Sequence, residues 1–185
     1  MKFMHIGDLH LGKRFNDVNL LEDQEFVLNQ IVSLVEKENI DALLLAGDIY
    51  DKSNPNSNAM TLFNDFITKI VELNKKIFII SGNHDSEQRI AYFSSLIKNV
   101  GVYTSNVFKG TTECIQIEDE YGLINIHLLP FVKPYVVRKY YEFDNINVLL
   151  GDNNSGKSTL MKLILFCLGA PINSFNDEIS QKKLC

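Results

Sequence analysis

Residues 43–51 read LLLAGDIYD. A short apolar run ends at Gly47, and the carboxylates of Asp48 and Asp51 follow at once. An apolar run of this length, closed by a turn signal, predicts a buried strand, Ala42–Ala46, that delivers polar groups at its carboxyl end. The pattern recurs on both sides. HIGDLHLGK at 5–13 places Asp8 and His10 after a strand at Phe3–Gly7, and ISGNHDS at 80–86 places Asn83, His84 and Asp85 after a strand at Ile77–Ile80. Leu20, Val27, Ile31 and Leu34 recur at helical spacing and predict a helix over 18–38. Met60, Phe63, Ile67, Ile70 and Leu73 mark a second helix, with Asn56 or Ser57 as its N-cap, and Ser86 caps a third over 87–98. The β-α-β-α-β-α order predicts an α/β fold with a mainly parallel sheet covered by helices. In such sheets, ligands collect at the carboxyl ends of the strands, where the three polar clusters fall.

The rest of the chain has a different texture. Residues 113–118 and 123–129 read as two strands around the turn Asp119-Glu120-Tyr121-Gly122. Pro130 and Pro134 then interrupt regular structure, and a short helix is expected over 135–141. From 146 an apolar strand leads into Gly151-Asp-Asn-Asn-Ser-Gly156-Lys157-Ser158, which fits G-x-x-x-x-G-K-[ST], and a helix is expected from Thr159 to Leu168. The two glycines let backbone N–H groups converge on phosphate, Lys157 reaches the terminal phosphates, and Ser158 holds Mg²⁺.

Composition removes several classes. The 185 residues are 45% hydrophobic and 22% charged, which excludes disorder, collagen and coiled coil. The apolar-rich stretch from Leu163 to Asn176 is too short to span a membrane and contains Gly169 and Pro171, and Asp8 interrupts any signal-like run. The three cysteines, Cys114, Cys167 and Cys185, form neither a zinc pattern nor a disulfide framework, so a reducing cytoplasm is the expected location. A net charge of −5 excludes binding to nucleic acid by charge alone but suits a site in which carboxylates hold a cation.

Hard oxygen donors with imidazole suit Mn²⁺, Fe²⁺ or Zn²⁺ better than a thiolate-preferring metal. Two residues apart on extended backbone, Asp8 and His10 point to one side. Asp48 has two oxygens and can bridge two ions, which in two-metal phosphoryl-transfer sites lie roughly 3.5–4 Å apart. Asp and Asn after strands also serve simply as caps and turn formers, but three such clusters follow three successive strands here.

Asp8-Leu9-His10, Gly47–Asp51 and Gly82–Asp85 resemble the first three motifs of the calcineurin-like metallophosphoesterases. With LLPFVKP at 128–134, residues 1–135 are similar to nuclease subunits of the SbcD type. The resemblance implies a layered metallophosphoesterase sheet flanked by helices, incomplete at its C-terminal side, and a metal-dependent DNA nuclease activity in repair and recombination. It implies Asp8, His10, Asp48 and Asn83 as ligands of a two-ion Mn²⁺ site. His84 would be the catalytic acid, and Asp85 would either orient it or start a helix. Asp51 would support its loop. The family's later histidines, including a final Gly-His-x-His, have no match here: of four histidines, only His127 follows His84, and His5 reads as structural.

Residues 143–170 resemble the start of an SbcC- or SMC-like ATPase head, which implies ATP and Mg²⁺ at Gly151, Gly156, Lys157, Ser158 and Thr159. The expected organisation is a truncated nuclease domain at 1–142 and a P-loop fragment at 143–185. Expected partners are DNA, an SbcC-like ATPase subunit and a second copy of the chain, with no membrane. Scattered Lys13, Arg14, Lys52 and Arg89 are the expected DNA contacts. Two alternatives stand beside the nuclease: another calcineurin-like phosphoesterase, acting on small phosphodiesters or phosphoproteins, and a non-catalytic nucleotide-binding remnant.

Overall fold

The computed structural model describes residues 1–92 and 94–140. In chain order the elements are β1 (Phe3–Ile6), β2 (Arg14–Phe15), β3 (Val18–Asn19), α1 (Leu21–Lys37), β4 (Ala42–Ala46), α2 (Ser57–Glu72) and β5 (Lys76–Ile80). There follow α3 (Glu87–Ile90), α4 (Ser94–Ile97), a 3₁₀ turn at Lys98–Val100, β6 (Val102–Thr104), β7 (Cys114–Asp119), β8 (Gly122–His127) and α5 (Pro134–Tyr140). The chain divides into compact units at Met1–Glu142 and Phe143–Cys185, and all described residues belong to the first. The strand and helix expected around Gly151–Thr159, and the phosphate loop between them, lie outside the described residues.

The central sheet has four parallel strands in the order β1-β4-β5-β6, with Met4 opposite Leu43, Leu43 opposite Ile77, and Ile77 opposite Val102. Parallel strands need long crossovers, and α1 and α2 supply the first two. Alternation along the strands then sorts the core. Leu43, Leu45, Ile77 and Ile79 pack with Leu28 and Val35 of α1 and with Leu62, Phe66 and Ile70 of α2. Ala42, Leu44, Phe78 and Tyr103 point the other way and pack on Ile115, Ile117, Ile124 and Ile126 of the β7–β8 hairpin. Helices therefore cover one face of the sheet, and an antiparallel hairpin covers the other where the sequence led us to expect helices. This is why the LLL run of β4 shows no polar position: both its faces are covered.

Local chemistry fixes the element ends. Asn56 Oδ1 accepts the Ala59 N–H at 2.8 Å and caps α2, as its sequence position predicts. Past the ends of α1 and α2, Asn39 (φ 49°) and Asn74 (φ 57°) take the left-handed conformation that closes a helix. The helix expected from 18 starts later, because Val18 and Asn19 pair with Phe15 and Arg14 in a small ribbon turned at Asn16 (φ 52°), and Asn19 Oδ1 accepts the Leu21 N–H. The helix expected over 87–98 is instead three short turns, and Ser86 makes no capping hydrogen bond there.

The hairpin's place on the sheet is testable at Phe78, which is 1% exposed and stacked on Tyr103 at 5.0 Å between centroids. Phe78→Ala is expected to cost about 3–5 kcal/mol in urea unfolding. A loss under about 1 kcal/mol would mean that the hairpin does not cover this face.

Candidate metal centre

The loops after β1 and β4 run side by side. Asp8 N–H donates to Gly47 O at 3.3 Å, His10 N–H to Asp48 O at 2.9 Å, and Leu11 N–H to Ile49 O at 2.9 Å. Asp8 (φ 58°), His10 (φ 45°) and Asp48 (φ 49°) all adopt the left-handed conformation, which costs a non-glycine residue energy and concentrates at functional sites. The result is a cluster. One ligand atom each from Asp8, His10 and Asp48 lies within 4.8 Å of the others. Asp48 is 9% exposed, while Asp8 opens to solvent.

Among the described residues, the His10 side chain has no hydrogen-bond partner. Its Nε2 lies 3.8 Å from Asp8 Oδ1, its Nδ1 lies 3.7 Å from Asp51 Oδ1, and Nδ1 is buried without a hydrogen-bond partner. A buried, unsatisfied polar atom costs about 1–3 kcal/mol, and the two carboxylates repel each other. A cation offsets the repulsion between the carboxylates, and the donor set of two carboxylates and one imidazole suits a divalent ion. The residues present therefore fit a metal, and Asp8, His10 and Asp48 would hold it.

The loop after β5 brings the second half of the site. His84 N–H donates to Asp48 Oδ1 at 2.9 Å. The His84 ring meets the His10 ring edge to face, with centroids 5.0 Å apart. Its Nδ1 sits 3.1 Å from the Asp51 carbonyl, which can only accept. Nδ1 therefore carries hydrogen. Asn83 is exposed beside it.

Asp85 acts on backbone. Its Oδ2 accepts Gly82 N–H at 2.8 Å and Ile49 N–H at 3.1 Å, and its Oδ1 accepts Tyr50 N–H at 3.0 Å. The bonds to Ile49 and Tyr50 tie the β4 loop to the β5 loop, the bond to Gly82 closes the β5 loop on itself, and the contact that orients the His84 ring comes from Asp51. Asp85 is thus a positioning residue here. Gly82 is required for the same join: a Cβ there would collide with the Asp48 carboxylate and backbone. Gly47 (φ 82°) faces it, and a Cβ there would lie 2.9 Å from Gly82 Cα.

Sequence reasoning missed Gln24. From α1 its Nε2 donates to Leu9 O at 3.2 Å and His10 O at 2.8 Å, and its Oε1 accepts Gly12 N–H at 3.0 Å. These bonds hold the Asp8–His10 turn from behind. The remaining histidines stand elsewhere. His5 is exposed on β1, and His127 ends β8 opposite Cys114 with its Nδ1 3.2 Å from Thr112 Oγ1. Among the cations expected at DNA, Arg14 donates to Asp17 O and Arg89 to Asn54 Oδ1, while Lys13 and Lys52 are exposed.

A parallel α/β sheet with an Asp–His–Asp cluster at its carboxyl edge, flanked by an oriented histidine, defines a metal-dependent phosphoester hydrolase class. The calcineurin-like phosphoesterase pattern matches residues 1–173, and the chain belongs to that family. The family uses divalent metals, and the matched range includes the 151–159 stretch. Among the described residues, no helix is long and apolar enough to cross a membrane.

Two predictions follow from this geometry. Asp8→Asn removes a candidate ligand whose carboxylate is largely exposed, so Mn²⁺ affinity in calorimetry should fall at least about tenfold. The thermal midpoint of the metal-free protein should not fall. Unchanged Mn²⁺ affinity would exclude Asp8 as a ligand. The second concerns Tyr50, whose backbone is held by Asp85 and whose ring packs on Phe63. Burial, and then the charge of Asp85, push its phenol up to about 12. A raised acid favours the folded state while it stays protonated. That contribution is present below the unfolded value near 10 and is lost as pH climbs from about 10 to about 12. Tyrosinate absorbance should show one late step that disappears in Tyr50→Phe. A Tyr50 that titrates with the exposed tyrosines would contradict its burial.

Proposed function

We propose that this phosphoesterase is a DNA nuclease of the SbcD type. The observation that carries the reading is the convergence of three strand-end loops on one point, with Asp8, His10 and Asp48 as metal ligands and His84 beside them. The motif set, including LLPFVKP at 128–134, supports the nuclease subfamily over relatives acting on small esters.

The bound metal supplies Lewis acidity and a nucleophilic water at neutral pH. The chain's own residues supply the rest. Asp48 would hold the metal and accepts from His84 N–H, so it ties the candidate ligand cluster to the acid. The Asp51 carbonyl holds His84 Nδ1–H, which directs Nε2 at the oxygen that leaves phosphorus. In the proposed step the doubly protonated His84 ring gives its Nε2 proton to the departing oxygen as water adds to phosphorus and the ester P–O bond breaks, and the proton lost by that water passes to solvent. The Asn83 amide, next to it and exposed, hydrogen-bonds a non-bridging phosphate oxygen.

The proposed partner is an SbcC-like ATPase subunit. The motif at Gly151–Ser158 adds a proposed ATP and Mg²⁺ site of the chain's own, since Lys157 and Ser158 stand at the phosphate-binding and metal-binding positions of that motif.

The test is Mn²⁺-dependent hydrolysis of linear duplex DNA, with a small phosphodiester in parallel. The wild type should cleave DNA, and Asp48→Asn should lose at least about a hundredfold in rate, several kcal/mol of transition-state stabilisation. Cleavage of the small ester only would assign the chain to another branch of the family. No cleavage of either by folded, Mn²⁺-loaded protein would overturn the reading.

A further inference from the structure

The His10 ring lies between two carboxylates. Its Nε2 is 3.8 Å from Asp8 Oδ1, and its Nδ1 is 3.7 Å from Asp51 Oδ1. The group formed by Asp8, His10 and Asp48 does not extend to Asp51, so Asp51 stands behind the ring rather than among the candidate ligands. Main-chain bonds fix its place there. Leu11 N–H donates to Ile49 O at 2.9 Å, and Asp51 N–H donates back to Leu11 O at 3.1 Å, so the residue after His10 is laced to the chain that carries Asp51. Among the described residues, His10 is the one basic side chain within ion-pair distance of the Asp51 carboxylate.

A neutral imidazole has one N–H and one lone pair, and only the lone pair binds a cation. The ring therefore has two choices. Hydrogen on Nε2 would point at Asp8 and close the ring to a metal. Hydrogen on Nδ1 would point at Asp51 and leave the Nε2 lone pair at the ligand cluster. Exposure decides between them. The Asp8 side chain is 75% exposed and its charge is screened by water, whereas Asp51 is 23% exposed and keeps more of its field. Nδ1 is buried, so a hydrogen there has no competing water. At 3.7 Å the contact is electrostatic and longer than a hydrogen bond.

We infer that Asp51 is a positioning residue of the metal site: its carboxylate keeps the His10 hydrogen on Nδ1 and so presents the Nε2 lone pair to the metal. The inference rests on the Asp8–His10–Asp48 reading and adds the group that prepares it. Partners of this kind set the tautomer and orientation of ligating histidines. One residue then governs two imidazoles through different atoms, His10 through its carboxylate and His84 through its carbonyl.

That difference makes the test. Long-range ¹⁵N–¹H correlation of the histidine rings at about pH 8, where an ordinary imidazole is neutral, reads each tautomer without metal. His10 is assigned by the signal that His10→Ala removes. In the wild type, His10 and His84 should both carry hydrogen on Nδ1. Asp51→Ala should move the His10 hydrogen to Nε2 and leave the His84 ring unchanged, because a carbonyl remains at that position. Asp51→Asn, whose amide oxygen still accepts, should keep the wild-type pattern. In calorimetry, Mn²⁺ affinity should fall about 10- to 100-fold in Asp51→Ala at unchanged stoichiometry. Hydrogen on Nε2 of His10 in the wild type would overturn the inference, and that result needs no variant to fold. A folded Asp51→Ala that binds Mn²⁺ as tightly as the wild type would also overturn it, as would one that loses a bound ion and so marks Asp51 as a ligand. An Asp51-dependent Nδ1–H in a protein that binds no Mn²⁺ would leave the His10 assignment standing and remove the metal reading.

Discussion

The site depends on a reciprocal lock between two loops. Asp85, after β5, accepts backbone N–H groups of Ile49 and Tyr50, after β4. Asp48, after β4, accepts the backbone N–H of His84, after β5. Each loop therefore supplies a carboxylate to the other's backbone. The same exchange sets the candidate metal ligand Asp48 and His84 at a fixed spacing. The lock closes because Gly47 and Gly82 meet without side chains, and a Cβ on Gly82 would occupy the space of the Asp48 carboxylate. Charge-assisted bonds of this kind are the stronger ones in proteins, and here they act where backbone is under strain.

The fold makes that lock affordable by burying everything beneath it. β4 and β5 lie in the middle of the sheet, with helices against one face and the β7–β8 hairpin against the other. Their carboxyl ends are therefore rigid anchors, and the polar loops can hold unfavourable backbone angles. α1 contributes twice: Leu28 and Val35 pack on the sheet, and Gln24 reaches the turn that carries Asp8 and His10. Function here comes from rigid strands placing short loops, a division of labour common to open α/β sheets.

Much of this was legible in the sequence. The apolar runs before Asp8, Asp48 and Asn83 gave the strands because parallel strands covered on both faces have no polar alternation to blur them. The clustering of Asp8, His10 and Asp48 was legible because metal chemistry restricts residue type. Other features were hidden for physical reasons. Gln24 sits within an amphipathic helix and bonds to backbone atoms of the preceding loop, so neither periodicity nor spacing marks it. His84 is oriented by the carbonyl of Asp51, a group that every residue possesses. Asp85 reads as a neighbour of His84, yet its carboxylate serves Ile49, Tyr50 and Gly82, and only tertiary structure shows that. β6 is three residues long after Gly101, too short for a pattern, and Val18 and Asn19, which pair in the ribbon, fell inside the helix expected over 18–38 because a two-residue strand leaves no pattern of its own.

The central claim is that the loops after β1 and β4 build one divalent-metal site. Anomalous diffraction at the manganese edge, from crystals of the full chain soaked in Mn²⁺, tests it directly. The account predicts a peak among Asp8, His10 and Asp48 that is absent in crystals of His10→Ala. A soaked crystal with no peak there, or with manganese bound only at other carboxylates, would contradict it.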